Sequence, residues 1–110
     1  MANFISDESV DKALHWLIQH ASDAAGAKAD RIHVEAYSKV LLSQIMKEHP
    51  DLSVAAQERE AYADPRYIEH LKALRDAVER DCKMQFLRSA CEAKLEAWRT
   101  MSATERAMKI

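Results

Sequence analysis

Apolar residues recur at helical spacing through the last third of the chain, from Asp64-Pro65 to Arg99. Asp64 suits an N-cap and Pro65 the first helical position, where a missing N–H costs nothing. No glycine or proline follows before the C-terminus. At about 100° per residue, Leu71, Leu74, Val78 and Cys82 share an arc of about 80°. Met84, Leu87, Cys91, Leu95 and Trp98 share a second arc of about 80°, displaced roughly 145° from the first. A helix that serves one core keeps one stripe. The displaced stripe therefore predicts a homo-oligomer in which another chain covers Met84, Leu87, Cys91, Leu95 and Trp98.

The pattern upstream is also helical. A short lead with Phe4 tucked against the body precedes a helix that starts at Ser6 or Asp7. Asp7, Glu8 and Asp11 there sit at the positive end of the helix dipole. Val10, Leu14, Leu17 and Ala21 form its stripe, flanked by Trp16 and Ile18. Gly26 has no turn dipeptide beside it and predicts a bend, not a turn. From Ala27 to about His49, Val34, Tyr37, Leu41 and Ile45 make one stripe. Ala36, Val40, Leu42 and Met46 put apolar atoms on the other sides, which predicts burial on several faces. His49-Pro50-Asp51 ends this helix, because the residue before proline is driven out of the α region. Ser53 caps a short helix through Ala63. At the far end, Ser102-Ala103-Thr104-Glu105 has capping-box spacing and predicts a restarted last turn.

Composition agrees with this pattern. One glycine, two prolines and a predominance of Ala, Leu, Glu, Lys and Arg predict an all-α chain, a helical hairpin-like arrangement with a long C-terminal helix. Its 110 residues fit a single domain over 1–110. No run approaches the roughly 20 apolar residues of a membrane span, and Met1-Ala2-Asn3-Phe4 lacks the basic and apolar regions of a signal peptide. Cys82 and Cys91 fall about 180° apart on one helix and cannot bridge each other. Buried, reduced thiols in a cytoplasmic protein are the expectation.

The residues that carry chemistry elsewhere are poorly placed for it here. His15 and His20 are about 140° apart around a helix, whereas zinc ligands on a helix sit at i, i+3 or i, i+4. The remaining histidines lie on separate segments and neither cysteine belongs to a CxxC, so no metal or cofactor is expected. There is no nucleophile elbow and no phosphate-cradling glycine loop. Asp76 and Arg80 read as a stabilising i, i+4 pair. No enzyme is expected.

Charge leaves one binding question open. The net charge of −2 carries no global signal for nucleic acid. Residues 1–30 are acidic, with two lysines against five acids, and residues 81–110 mildly basic, with six bases against four acids. Lys39, Lys47, Arg59 and Arg66 nevertheless gather around one helix junction with Tyr37, Tyr62 and Tyr67 interleaved. Single-strand binders combine backbone-tracking bases with aromatic platforms, and copies joined in an assembly gain from effective concentration. Lys39, Lys47, Arg59, Tyr62 and Arg66 are thus the candidate DNA-binding residues. Against this, Glu48, Asp51, Glu58, Glu60 and Asp64 share the same stretch, and the tyrosines can equally pack the junction.

The run Gln57-Glu58-Arg59-Glu60-Ala61-Tyr62-Ala63, then Tyr67 and Leu71, then Leu95-Glu96-Ala97-Trp98-Arg99, resembles small helical phage and prophage proteins of DNA recombination and replication modules. The layout also resembles the UvsY-type recombination mediators. That resemblance implies an oligomeric, non-enzymatic accessory protein that binds single-stranded DNA or assists a recombinase or a single-strand-binding protein. A protein–protein interaction module, an adaptor or inhibitor with no nucleic-acid contact, is the alternative. Convergence of the four bases on one groove favours the first reading, and dispersal among carboxylates the second.

Overall fold

The computed structural model describes residues 5–109; the expectation for Phe4 lies outside them. Four helices follow one another: α1 (Asp7–Gln19), α2 (Ala21–Met46), α3 (Val54–Ala63) and α4 (Pro65–Met108). No strand occurs among the described residues, and none of their helices is long and apolar enough to cross a membrane. The all-α reading and the long C-terminal helix are as the sequence predicts.

Side chains of the expected types set the boundaries. Ser6 accepts from the Ser9 amide at 3.1 Å and Ser53 from the Ala56 amide at 3.2 Å, each satisfying an orphan N–H. Asp64 closes α3 and opens α4, its carboxylate accepting from the Arg66 amide at 2.8 Å. The chain leaves α2 through short i→i−3 bonds, Glu48 to Ile45 and His49 to Met46. Gln57 Nε2 then donates to the His49 carbonyl at 2.8 Å and ties the 47–52 connection to α3.

Two expected boundaries move. Helicity breaks at His20, not at Gly26, which lies inside α2. His20 adopts φ −102° and ψ 6°, its Nδ1 donates to the Trp16 carbonyl at 3.0 Å, and its ring stacks on the indole. The side chain thus joins the backbone amide on one carbonyl and closes α1 without help from glycine. At the other end α4 runs through Ser102–Glu105 without restarting. Thr104 donates its hydroxyl back to the Thr100 carbonyl at 3.0 Å, an intrahelical bond in place of a cap.

The contacts resolve two compact units, Met1–Ala25 with Lys83–Ile110 and Gly26–Cys82. In Gly26–Cys82, Arg31 meets Asp81 and Ser38 meets His70, so the α2 and α4 segments run antiparallel. Ala27, Arg31, Val34, Ser38, Leu41 and Ile45 recur at alternating steps of four and three, the seam spacing of a coiled coil, and all are buried or half-buried. The apolar end of this seam packs Leu41 and Ile45 on Ala61 of α3, with Leu42, Met46 and Tyr67 against them. In the other unit Ile5, Val10 and Ala13 are buried, and Trp98 Nε1 donates to the Asp7 carboxylate at 3.1 Å.

The covered face of α4 corrects the two-stripe reading. Tyr67, His70, Leu74, Ala77, Asp81, Met84, Cys91, Leu95, Trp98 and Ser102 are buried or half-buried and fall on one three-four repeat, broken only where Arg88 is exposed. Leu71 is exposed. The stripe seemed to change face because His70, Ala77 and Asp81, one small and two polar residues, occupy seam positions. Neighbouring leucine and valine then drew the apolar pattern aside. Similar shifts occur elsewhere. Ala13 replaces Leu14 on the buried face of α1, and Ile18 is exposed; on α2, Tyr37 and Val40 are exposed. Arg80 pairs with Asp30 at 3.6 Å instead of with Asp76. Both cysteines are free and half-buried.

A Cβ added at Gly26 would meet nothing within 4 Å, and its φ is not positive. Gly26→Ala should therefore stabilise the protein by about 0.5–1 kcal/mol through helix propensity. Ile45→Ala, at a side chain with 0% exposure, should destabilise it by about 2–5 kcal/mol. Urea unfolding followed by circular dichroism measures both, and a destabilised Gly26→Ala would show that α2 needs the glycine.

Candidate functional site

The junction of α2, α3 and α4 holds most of the residues marked by the sequence, but it does not gather their charges. Arg66 is enclosed by carboxylates: its side chain donates to both Asp64 oxygens at 3.0 Å, and Glu48 lies 2.7 Å from it. These partners, Asp64 before Glu48, hold the guanidinium well above its ordinary value. Arg66 in return holds the Asp64 carboxyl below its ordinary range, first through its side chain and then through its amide. A base so occupied is a poor contact for phosphate.

The other bases lie elsewhere. Lys39 and Lys47 form no ion pair among the described residues and line a strip of α2 with Val40, Ser43 and Gln44. Helical spacing sets that strip opposite the buried Leu41–Ile45 side. Arg59 is exposed on α3, two positions from buried Ala61 and so on the opposite side of that helix. Lys39 and Lys47 share one strip of α2, Arg59 stands on α3, and Arg66 is taken up by Asp64 and Glu48.

The aromatic residues do converge. Tyr37 of α2 stands 5.6 Å from the ring of His70, His70 6.3 Å from Tyr67, and Tyr67 5.3 Å edge-on to Tyr62 of α3. Tyr67 packs on the Leu41–Ile45–Ala61 core, the junction-packing role open to the tyrosines from sequence. Tyr37 and Tyr62, at the two ends of the row, are 40% and 54% exposed.

Sequence reasoning missed two polar pairs in the seam. Ser38 Oγ and His70 Nε2 are 2.7 Å apart, and Arg31 Nη1 donates to Asp81 at 2.8 Å while its Nε donates to Glu35 at 3.0 Å. Glu35 and then Asp81 hold the Arg31 guanidinium above its ordinary value. A hydroxyl on an imidazole at this distance has the reach of a nucleophile and base. Both, however, lie inside helices whose amides are spent on i→i−4 bonds, leaving no backbone donors for an oxyanion. The pair orders the seam. The signal available in sequence was the spacing His70, Leu74, Ala77, Asp81, continuous once polar residues are admitted to the seam.

Of the residues assigned to an oligomer interface, Met84, Cys91, Leu95 and Trp98 are half-buried and Leu87 is 39% exposed. No group of three metal-ligating side chains forms among the described residues. No protein family, curated protein or solved structure matches the chain.

The Asp64–Arg66 arrangement has a pH signature. A carboxyl lowered in the folded state stabilises fully above the unfolded carboxylate range, near pH 4, and loses that contribution as pH falls through the lowered folded value. Arg66→Gln should raise the Asp64 titration towards that ordinary range. Carbon-detected NMR of the Asp64 carboxyl gives the answer directly, and ordinary titration in the native protein would contradict the assignment.

Proposed function

We propose that the chain is a non-enzymatic protein-interaction module that acts as a homo-oligomer. The observation that supports it is surface. Large apolar side chains remain exposed among the described residues, including Ile18, Ile32, Phe86 and Leu87, and such surface is what a partner covers. Exposed Leu87, with half-buried Met84, Cys91, Leu95 and Trp98, supplies apolar area to a contact between copies. The dispersal of the bases and the enclosure of Arg66 favour an interaction module over a nucleic-acid reader.

Sedimentation equilibrium tests this reading. The expected result is a mass at least twice 12.5 kDa, with Leu87→Asp and Leu95→Asp together shifting the population to monomer. A wild-type chain that stays monomeric at tens of micromolar, about the range of a modest interface, would overturn it.

A second reading, a single-stranded DNA accessory role of the phage-module kind, is favoured by Lys39 and Lys47, which share one strip and are free of ion pairs among the described residues. An oligomer would repeat that strip. Binding to an unstructured oligonucleotide should then weaken with salt, with a log–log slope of about 0.7 per phosphate neutralised. Lys39→Glu with Lys47→Glu should abolish it, and Arg66→Glu should change it little. Fluorescence anisotropy at low salt decides, and no binding at about 50 micromolar removes this reading.

A further inference from the structure

We infer that the row of rings at the junction of α2, α3 and α4 is a docking surface for a basic segment of a partner protein. The inference rests on the interaction-module reading and names the partner's chemistry. His70 is buried against Ser38 and Tyr67 is packed on the core, so the middle of the row is fixed. Exposed Tyr37 and Tyr62 flank it. Tyrosines held in this way lose little conformational entropy when a partner covers them, and tyrosine is enriched at interface centres.

Charge selects the occupant. The face of each tyrosine ring is electron-rich and attracts cations. Glu58 stands one helical turn before Tyr62, on the same side of α3, with no hydrogen bond or ion pair among the described residues. Arg66, the base next to the row, is already closed by Asp64 and Glu48. Arg59 also stands one turn before Tyr62, but Glu48, Glu58 and Asp64 outnumber Arg59 and Arg66 there, so a phosphate chain stacking its bases on these rings would meet net negative charge. Arginine or lysine side chains would meet both attractive groups at once, and arginine can stack flat on a tyrosine while its nitrogens reach Glu58.

The test is a titration of the isotope-labelled full chain, read by amide NMR, with three probes. These are an amphipathic helical peptide of Leu, Ala and Arg, the same peptide with Glu for every Arg, and oligothymidine. The expected result is that only the arginine peptide perturbs the amides around Tyr37, Glu58, Tyr62 and Tyr67. Tyr62→Ala should weaken that binding by about 3- to 30-fold, the size of one cation–ring contact, and Tyr62→Phe should retain it. Glu58→Gln should weaken it by about 2- to 5-fold and flatten its salt dependence. Perturbations confined to other surfaces, an equal response to the acidic peptide, or unchanged affinity in Tyr62→Ala would each overturn the inference. Oligothymidine perturbing the rings in place of the peptide would assign the row to nucleic acid and overturn it too. Sedimentation of the unliganded chain is independent of these outcomes, so a monomer with a responsive ring row fails only the oligomer reading.

Discussion

A carboxylate that is 2% exposed needs a donor in reach, and Arg31 reaches Asp81 from the facing helix at 2.8 Å. The seam around that pair contains Ala27, Val34, Leu74 and Ala77, which carry little information about register. Sliding α2 along α4 by one heptad would lay similar apolar surfaces together. It would also take Arg31 from Asp81 and leave a buried charge without its guanidinium, and the same slip would separate Ser38 from His70. Polar residues at seam positions commonly trade stability for register in this way. Once Arg31 is opposite Asp81, Ser38 falls opposite His70, Leu41 and Ile45 reach Ala61, and Tyr37 comes beside the imidazole. The row of rings is a consequence of that register.

The same arrangement limits the core. Eight apolar residues are buried among those described, and four of them are alanine. Large apolar side chains such as Ile18, Val54 and Phe86 remain exposed. A seam partly filled by alanine brings helices close, but it removes little hydrocarbon from water, since burial stabilises by about 25 cal/mol per Å². The exposed apolar side chains and the polar seam are two sides of one choice of residues.

Helix existence was legible in this sequence because the signals are local: Ser6, Ser53 and Asp64 as caps, Pro50 and Pro65 as boundaries, and an absence of breakers after Pro65. Facing was less legible. A hydrophobicity rule assigns Leu71 inward and Asp81 outward, and the fold does the reverse because Asp81 has Arg31 across the seam, fifty residues away. The break at His20 and the continuity through Ser102–Glu105 were not legible for a related reason: the side chains of His20 and Thr104 decide them. Both bond to carbonyls of their own helices, which the residue type permits without requiring. At the candidate site the sequence marked Tyr62 and Tyr67 as neighbours of interest, but their link to Tyr37 runs through His70, whose role depends on antiparallel register. Arg66 is taken up by Asp64, two residues away in sequence, and by Glu48, brought to it across the junction by the fold.

Asp64 ends one helix, caps the next and holds Arg66, and it does so as the single residue between α3 and α4. A joint of one residue has no slack. Each residue added there would turn α4 by about 100° relative to α3, carrying His70 and Asp81 off the seam together. The 47–52 connection is different, because it is a loop of several residues between α2 and the Ser53 cap, and residues added outside the Gln57–His49 bond enter no helical phase. Changes of chain length are therefore confined by geometry. The loop before α3 can vary in length, while the joint after it can change its residues but not their number.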